Sequence, residues 1–157
     1  MMEAGVVLDL DIKPFYWHLP ADRTNIALPD SRPLWDIIWE NREKIAGIAH
    51  SHPGGGIPGP SYDDVTTFSA IERALGRRLK WWITSADAAI VAVWTGPGPI
   101  TYSSTPCTEL EWMKTLRQVS QRVQGNEGIE KEQDHDHAGT DSPGRGEGEC
   151  HIRRQER

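Results

Sequence analysis

His50-Ser51-His52-Pro53, followed by Pro60-Ser61 and Asp63-Asp64, brings two imidazoles, a hydroxyl and adjacent carboxylates into fifteen residues. Two His and one carboxylate are the ligand set of a catalytic zinc site, with one tetrahedral position left for water. If His50 and His52 lie in a strand, their side chains share a face, because strand side chains alternate with period two. Pro53 lacks a backbone donor and ends regular pairing after the second His. Gly54-Gly55-Gly56-Ile57-Pro58-Gly59-Pro60 then swings the chain back toward the imidazoles. Ser61 begins a helix and Asp64 stands three residues on, so both look out from its first turn. The same Ser-x-x-acid spacing is also a capping box, a purely structural device.

His50-x-His52-Pro53, a short loop, then Ser61-x-x-Asp64, resembles the JAMM motif of the JAB (MPN+) zinc metalloproteases, prokaryotic type, over roughly residues 3 to 102. The loop between Pro and Ser is one residue longer than that family's. Counting from the histidines selects Asp63 as third ligand, and counting from Ser61 selects Asp64. Asp64 is preferred, because helix geometry fixes Ser and Asp at i and i+3 while lengthening a glycine-rich loop costs little.

The resemblance implies a general base on an earlier strand, a Glu followed by small and aliphatic residues, and Glu3-Ala4-Gly5-Val6-Val7-Leu8 has that context. Glu40 and Glu43 compete for the role. With 44–50 extended, Glu43 lies about 23 Å from His50 at roughly 3.3 Å per residue, too far to reach the site. The implied activity is hydrolysis of a peptide or isopeptide bond. Zn2+ sits on His50, His52 and Asp64, Glu3 is the base, and Ser61 hydrogen-bonds the oxyanion or the nucleophilic water. The implied substrate is a protein or peptide, such as the C-terminal tail of a ubiquitin-like protein. One rival is a non-catalytic MPN-type interaction scaffold. Another is a DNA-associated protein like the RadC group, which has a similar His-Ser-His-Pro motif.

Around that site the pattern is of a mixed sheet with flanking helices. Residues 3–13 and 15–19 read as a hairpin about Lys13-Pro14, and 33–44 as a helix capped by Asp30 or Ser31. Residues 44–50 form the interior strand that delivers the histidines. The helix after Ser61 carries Val65, Phe68, Ile71 and Leu75 at helical spacing and closes at Gly76. Residues 79–84 and 88–94 form a hairpin across Ser85-Ala86-Asp87, 100–102 a short further strand, and 108 to about 124 an amphipathic helix through Leu110, Met113, Leu116 and Val119. This order gives an α/β sandwich, and the resemblance implies the cytidine-deaminase-like JAB/MPN version of it. That version has a strand and helix ahead of the glutamate, where only Met1 and Met2 stand. Either the chain starts further upstream, or the helix from Thr108 covers the gap. Alternation across Trp81-Trp82 leaves one ring in the core and the other outward, while Trp35, Trp39, Trp94 and Trp112 fit packing roles and His18 a satisfied packing or surface histidine.

The 157 residues fit one domain of 1–124 followed by a tail of 125–157. From Asn126 the chain holds nine acidic and five basic residues and only Ile129 and Ile152 as aliphatics. Such a stretch cannot bury enough apolar surface to offset ordering entropy and is expected to be disordered, with His135-Asp136-His137 a solvated decoy rather than a metal site. Four of the six net negative charges fall there, so the body is nearly balanced. A body without a basic stripe argues against a nucleic-acid partner. Two cysteines, Cys107 and Cys150, make no disulfide framework, and neither a secretion signal nor a membrane-length apolar run is present, which together point to the cytoplasm.

Overall fold

The computed structural model describes residues 1–121. The tail, with His135-Asp136-His137 and Cys150, lies outside the described residues.

Chain order is β1 (Gly5–Asp9), β2 (Pro14–His18), α1 (Arg32–Glu40), β3 (Ile45–Ser51), α2 (Tyr62–Leu75), β4 (Lys80–Thr84), β5 (Ala89–Trp94), β6 (Tyr102–Pro106) and α3 (Glu111–Gln121). The strands form one six-stranded sheet in the order β2-β1-β3-β4-β5-β6. Only β3 and β4 pair in parallel; every other neighbour is antiparallel. A parallel pair needs a crossover, and α2 supplies it. The protein is thus a mixed sheet between helices.

Helices cover both faces. Val7, Trp81, Ile83 and Ile90 pack with Leu34 and Ile38 of α1 and Phe68 and Ile71 of α2. On the opposite face Val6, Leu8, Ala49 and Trp82 meet Trp112, Met113 and Leu116 of α3. That second face is thus covered by α3, the helix near the end of the described chain. Strands buried on two sides read as apolar runs rather than clean alternation.

That two-sided burial corrects the reading of Trp81-Trp82. Neither ring faces outward: Trp81 is 2% and Trp82 5% exposed, one in each layer. Gly47 makes room for the second, since a Cβ there would lie 1.9 Å from the Lys80 carbonyl oxygen and 2.7 Å from the Trp82 ring. Trp39 is 55% exposed under the Arg42 guanidinium instead of packed in the core. Boundaries also move. The first strand is limited to Gly5–Asp9, where the chain turns through Ile12 at φ 61°. α1 stops at Glu40, because Asn41 caps it with both its backbone N–H and its side-chain amide on the Ile37 carbonyl. The last strand begins at Tyr102 rather than ending there, and α3 starts three residues later than expected. Among the described residues no helix is long and apolar enough to cross a membrane.

One buried acid ties α2 to the sheet. The Glu72 carboxylate, 2% exposed, accepts hydrogen bonds from the Trp81 indole at 2.9 Å, the Leu79 backbone at 3.1 Å, the Tyr102 hydroxyl at 2.9 Å and the Arg78 guanidinium at 2.7 Å. Burial, then the hydrogen bond and charge of Glu72, holds the Tyr102 phenol well above its ordinary range. Removing the acceptor leaves several donors unpaired in a dry layer. Glu72→Ala is expected to lower unfolding free energy by about 3 kcal/mol or more in a urea titration. A loss below about 1 kcal/mol would show that this carboxylate does not secure the helix.

Candidate metal centre

The centre of the sheet presents the two imidazoles. His50 lies in β3 between Gly5 of β1 and Ile83 of β4. His52 is one residue past the strand, but its N–H still donates to the Thr84 carbonyl at 2.8 Å, so the extended path continues. Both rings consequently stand on the α1/α2 face, 4.9 Å apart between centroids, while Ser51 points the other way and accepts from the Ala4 N–H.

Asp64 reaches them from the first turn of α2. Its Oδ1 lies 3.0 Å from His50 Nε2, its Oδ2 3.2 Å from His52 Nε2, and the two Nε2 atoms are 3.0 Å apart. The capping box expected at this helix start is also present. Ser61 Oγ accepts from the Asp64 N–H at 3.1 Å, and Asp64 Oδ2 accepts from the Ser61 N–H at 2.6 Å. The two readings of Ser61-x-x-Asp64 are thus one arrangement: the cap fixes the rotamer that aims the carboxylate at the imidazoles. Asp63 borders the same cavity but is exposed and outside the cluster.

His50, His52 and Asp64 can hold a metal ion, with one donor atom from each and all of these within 4.8 Å of one another. A tetrahedral ion with bonds of about 2.0–2.1 Å spans ligand pairs about 3.3 Å apart. The two imidazole nitrogens are already near that spacing, so the donor set and its size fit zinc.

The electrostatics follow from this crowding. Burial alone would raise the Asp64 carboxyl, but hydrogen bonds from His50, His52 and the Ser61 backbone hold it far below the usual carboxylate range. The Asp64 hydrogen bond pushes His52 up despite its burial. Glu3 sits on the segment before β1. Carrying the β1–β3 register back two residues from the Gly5–His50 pair puts it opposite His52. It borders the same cavity, and burial raises its pKa against the lowering effect of the two histidines.

The cavity beside the cluster has a volume of about 580 Å³. Part of its wall is the 25–30 loop. That wall is anchored: the Glu3 backbone N–H donates to the Thr24 carbonyl, Leu28 packs within 3.0 Å of where a Gly5 Cβ would lie, and His18 Nε2 meets the Pro29 carbonyl at 2.7 Å. His18 is buried and satisfied, as expected, and its partner makes it a brace for the site. The glycine-rich loop is likewise pinned. The Gly56 N–H donates to Asp87 Oδ1 at 2.7 Å, the Ala86 N–H to the Gly54 carbonyl at 2.8 Å, and Ser85 Oγ to the Gly56 carbonyl at 2.6 Å. Gly56, at φ 84°, needs the freedom of glycine there. Nothing local in Ser85-Ala86-Asp87 signals a partner thirty residues away. Trp81 joins the cavity wall because it pairs with Ile48, which shares the face of His50 by alternation.

The chain matches no protein-family model and no curated protein.

Proton competition gives this centre a pH signature. His52 has a raised pKa, so its ionised pairing with Asp64 stabilises the metal-free protein fully below the ordinary His value of 6.5 and is lost as pH climbs through the raised value. The depressed Asp64 contributes above its ordinary 3.8 and loses that contribution only as pH falls further. Metal-free stability should therefore gain most from the cluster between those values. Metal binding needs both imidazoles neutral. Zinc affinity, measured by chelator competition, is expected to fall steadily from about pH 7.5 to about 5.5, beginning above the pH at which a free imidazole would start to compete. An affinity flat across that range would show that His52 is not a ligand.

Proposed function

We propose that the chain is a zinc-dependent hydrolase of JAMM type that cleaves a peptide or isopeptide bond in a protein or peptide substrate, a ubiquitin-like tail among the candidates. The observation that carries this reading is the meeting of His50, His52 and Asp64 with the Glu3 carboxylate bordering the same cavity. Structural metal sites close all four positions with protein ligands, whereas three ligands beside an open cavity suit chemistry. A bound zinc ion would supply Lewis acidity toward the amide carbonyl and toward water.

The remaining work falls to the chain's own groups. Glu3, made more basic by burial than an exposed carboxylate, is suited to accept a proton and return it to the leaving amine. Ser61 spends its oxygen lone pair on the helix cap, which leaves its hydroxyl hydrogen free to donate into the cavity toward developing oxyanion charge. Asp64 stays ionised because both imidazoles and the Ser61 N–H face it. A second reading, a non-catalytic scaffold of the same kind, draws on the capping box, which accounts for Ser61 and Asp64 without any ion.

The two readings separate in one set of measurements. Purified protein is expected to bind one zinc per chain, and His52→Ala to lose it. Glu3→Gln is expected to keep the metal and lose about 10²–10⁴-fold in kcat on a cleavable peptide or isopeptide substrate. Zinc-loaded wild type with no amide hydrolysis across such substrates, or Glu3→Gln with unchanged kcat, would remove the catalytic assignment.

A further inference from the structure

We infer, building on the hydrolase reading, that the cavity beside the cluster is a side-chain subsite. It takes a large apolar side chain adjoining the scissile bond, and it selects bonds inside a chain over those next to a free carboxylate.

The apolar part is contributed by three layers at once. Leu34 comes from α1, Phe68 and Ile71 from α2, Ile48 and Trp81 from the sheet, and Leu28 from the anchored loop. These walls are preset. Phe68 stacks on Trp81 at 4.1 Å between centroids and 10° between planes, and Glu72 holds the Trp81 indole from behind. Phe68 also meets the His50 ring at 6.1 Å, so the apolar wall runs directly up to a candidate ligand. A volume of about 580 Å³ is within the about 300–1,000 Å³ typical of small-molecule sites. A substrate with only glycine beside its cleaved bond would leave the partly open Leu28 and Ile48 side chains wet above the buried floor of Phe68, Ile71 and Trp81, whereas an aromatic or long aliphatic side chain would cover them.

Charge decides the second half. Apart from the two imidazoles, the ionisable side chains that line the cavity are the carboxylates of Glu3, Asp30, Asp63 and Asp64. No Lys or Arg is among its described lining residues. A substrate carboxylate placed against this wall would meet these like charges with no Lys or Arg to pair with, which disfavours its burial. A blocked, neutral continuation of the chain meets no such penalty.

The test reads the cavity in the metal-free, full-length protein by NMR titration with N-acetyl-phenylalanine amide, N-acetyl-glycine amide and N-acetyl-phenylalanine carrying its free carboxylate. The phenylalanine amide is expected to bind at least about tenfold more tightly than the glycine amide, which is about 1.4 kcal/mol. The free acid should bind more weakly than its amide, and shifts should centre on Ile48, Phe68 and Ile71. Leu28→Asp, on the loop wall, should abolish the preference while zinc stoichiometry stays at that of the wild type. Equal binding of the two amides overturns the apolar subsite, and an acid that binds as tightly as its amide overturns the selection against carboxylates. Zinc loading is a separate readout. Its failure would count against the hydrolase reading, whereas the amide preference reads the cavity itself.

Discussion

A single carboxylate carries two obligations here, and the rest of the site depends on its meeting both. Asp64 must satisfy an orphan N–H at the start of α2 and must also face two imidazoles from the sheet. A free aspartate would lose rotamer entropy on ordering, yet the capping box has already restricted this one. The carboxylate arrives at the imidazoles preorganised, and its ionised form is held by their hydrogen bonds. Capping and ligation are often treated as competing explanations of a Ser-x-x-Asp pattern. In this chain the cap is the means by which the ligand is aimed.

Keeping that carboxylate in place requires that α2 and β3 hold their relative position, and the packing supplies this at both ends of the helix. At its C-terminal end Glu72 binds donors from β4, β6 and the connecting segment. At its N-terminal end the glycine-rich connection from β3 is fastened to the turn between β4 and β5 through Gly54, Gly56, Ser85 and Asp87. Arg117 of α3 donates in turn to the Ser85 and Ala88 carbonyls. The far helix layer thus braces the turn that holds the loop. Hydrogen bonds to that turn define the path of the glycine-rich loop.

The electrostatic character of the cavity follows from the same layout. Its four acids come from three separate segments: the residues before β1, the 25–30 loop and adjacent positions at the head of α2. Glu3 and Asp64 lie beside the two imidazoles in a partly dry space, and burial together with these neighbours shifts the protonation of Glu3, His52 and Asp64. Such a concentration of negative charge is costly in the absence of a cation and suits a divalent ion. The apolar wall of Phe68 and Trp81 lowers the local polarity further, which strengthens every interaction at the cluster's edge.

The local sequence was sufficient for the elements and for most of the site. Period-two alternation put His50 and His52 on one face, and helix geometry favoured Asp64 over Asp63, because both rules involve neighbours within a few residues. Gly76 in the left-handed conformation and Ser31 and Ser61 as caps were legible for the same reason. What tertiary structure decided was everything that depends on who lies across the sheet. Trp81 and Trp82 are both buried because helices cover both faces, a fact absent from their own alternation. Glu3 comes opposite His52 only through the register of β1 against β3, and the 25–30 loop becomes a cavity wall through contacts with Glu3, Gly5 and His18. Periodicity describes which way a side chain points; strand order and layer packing determine what it meets there.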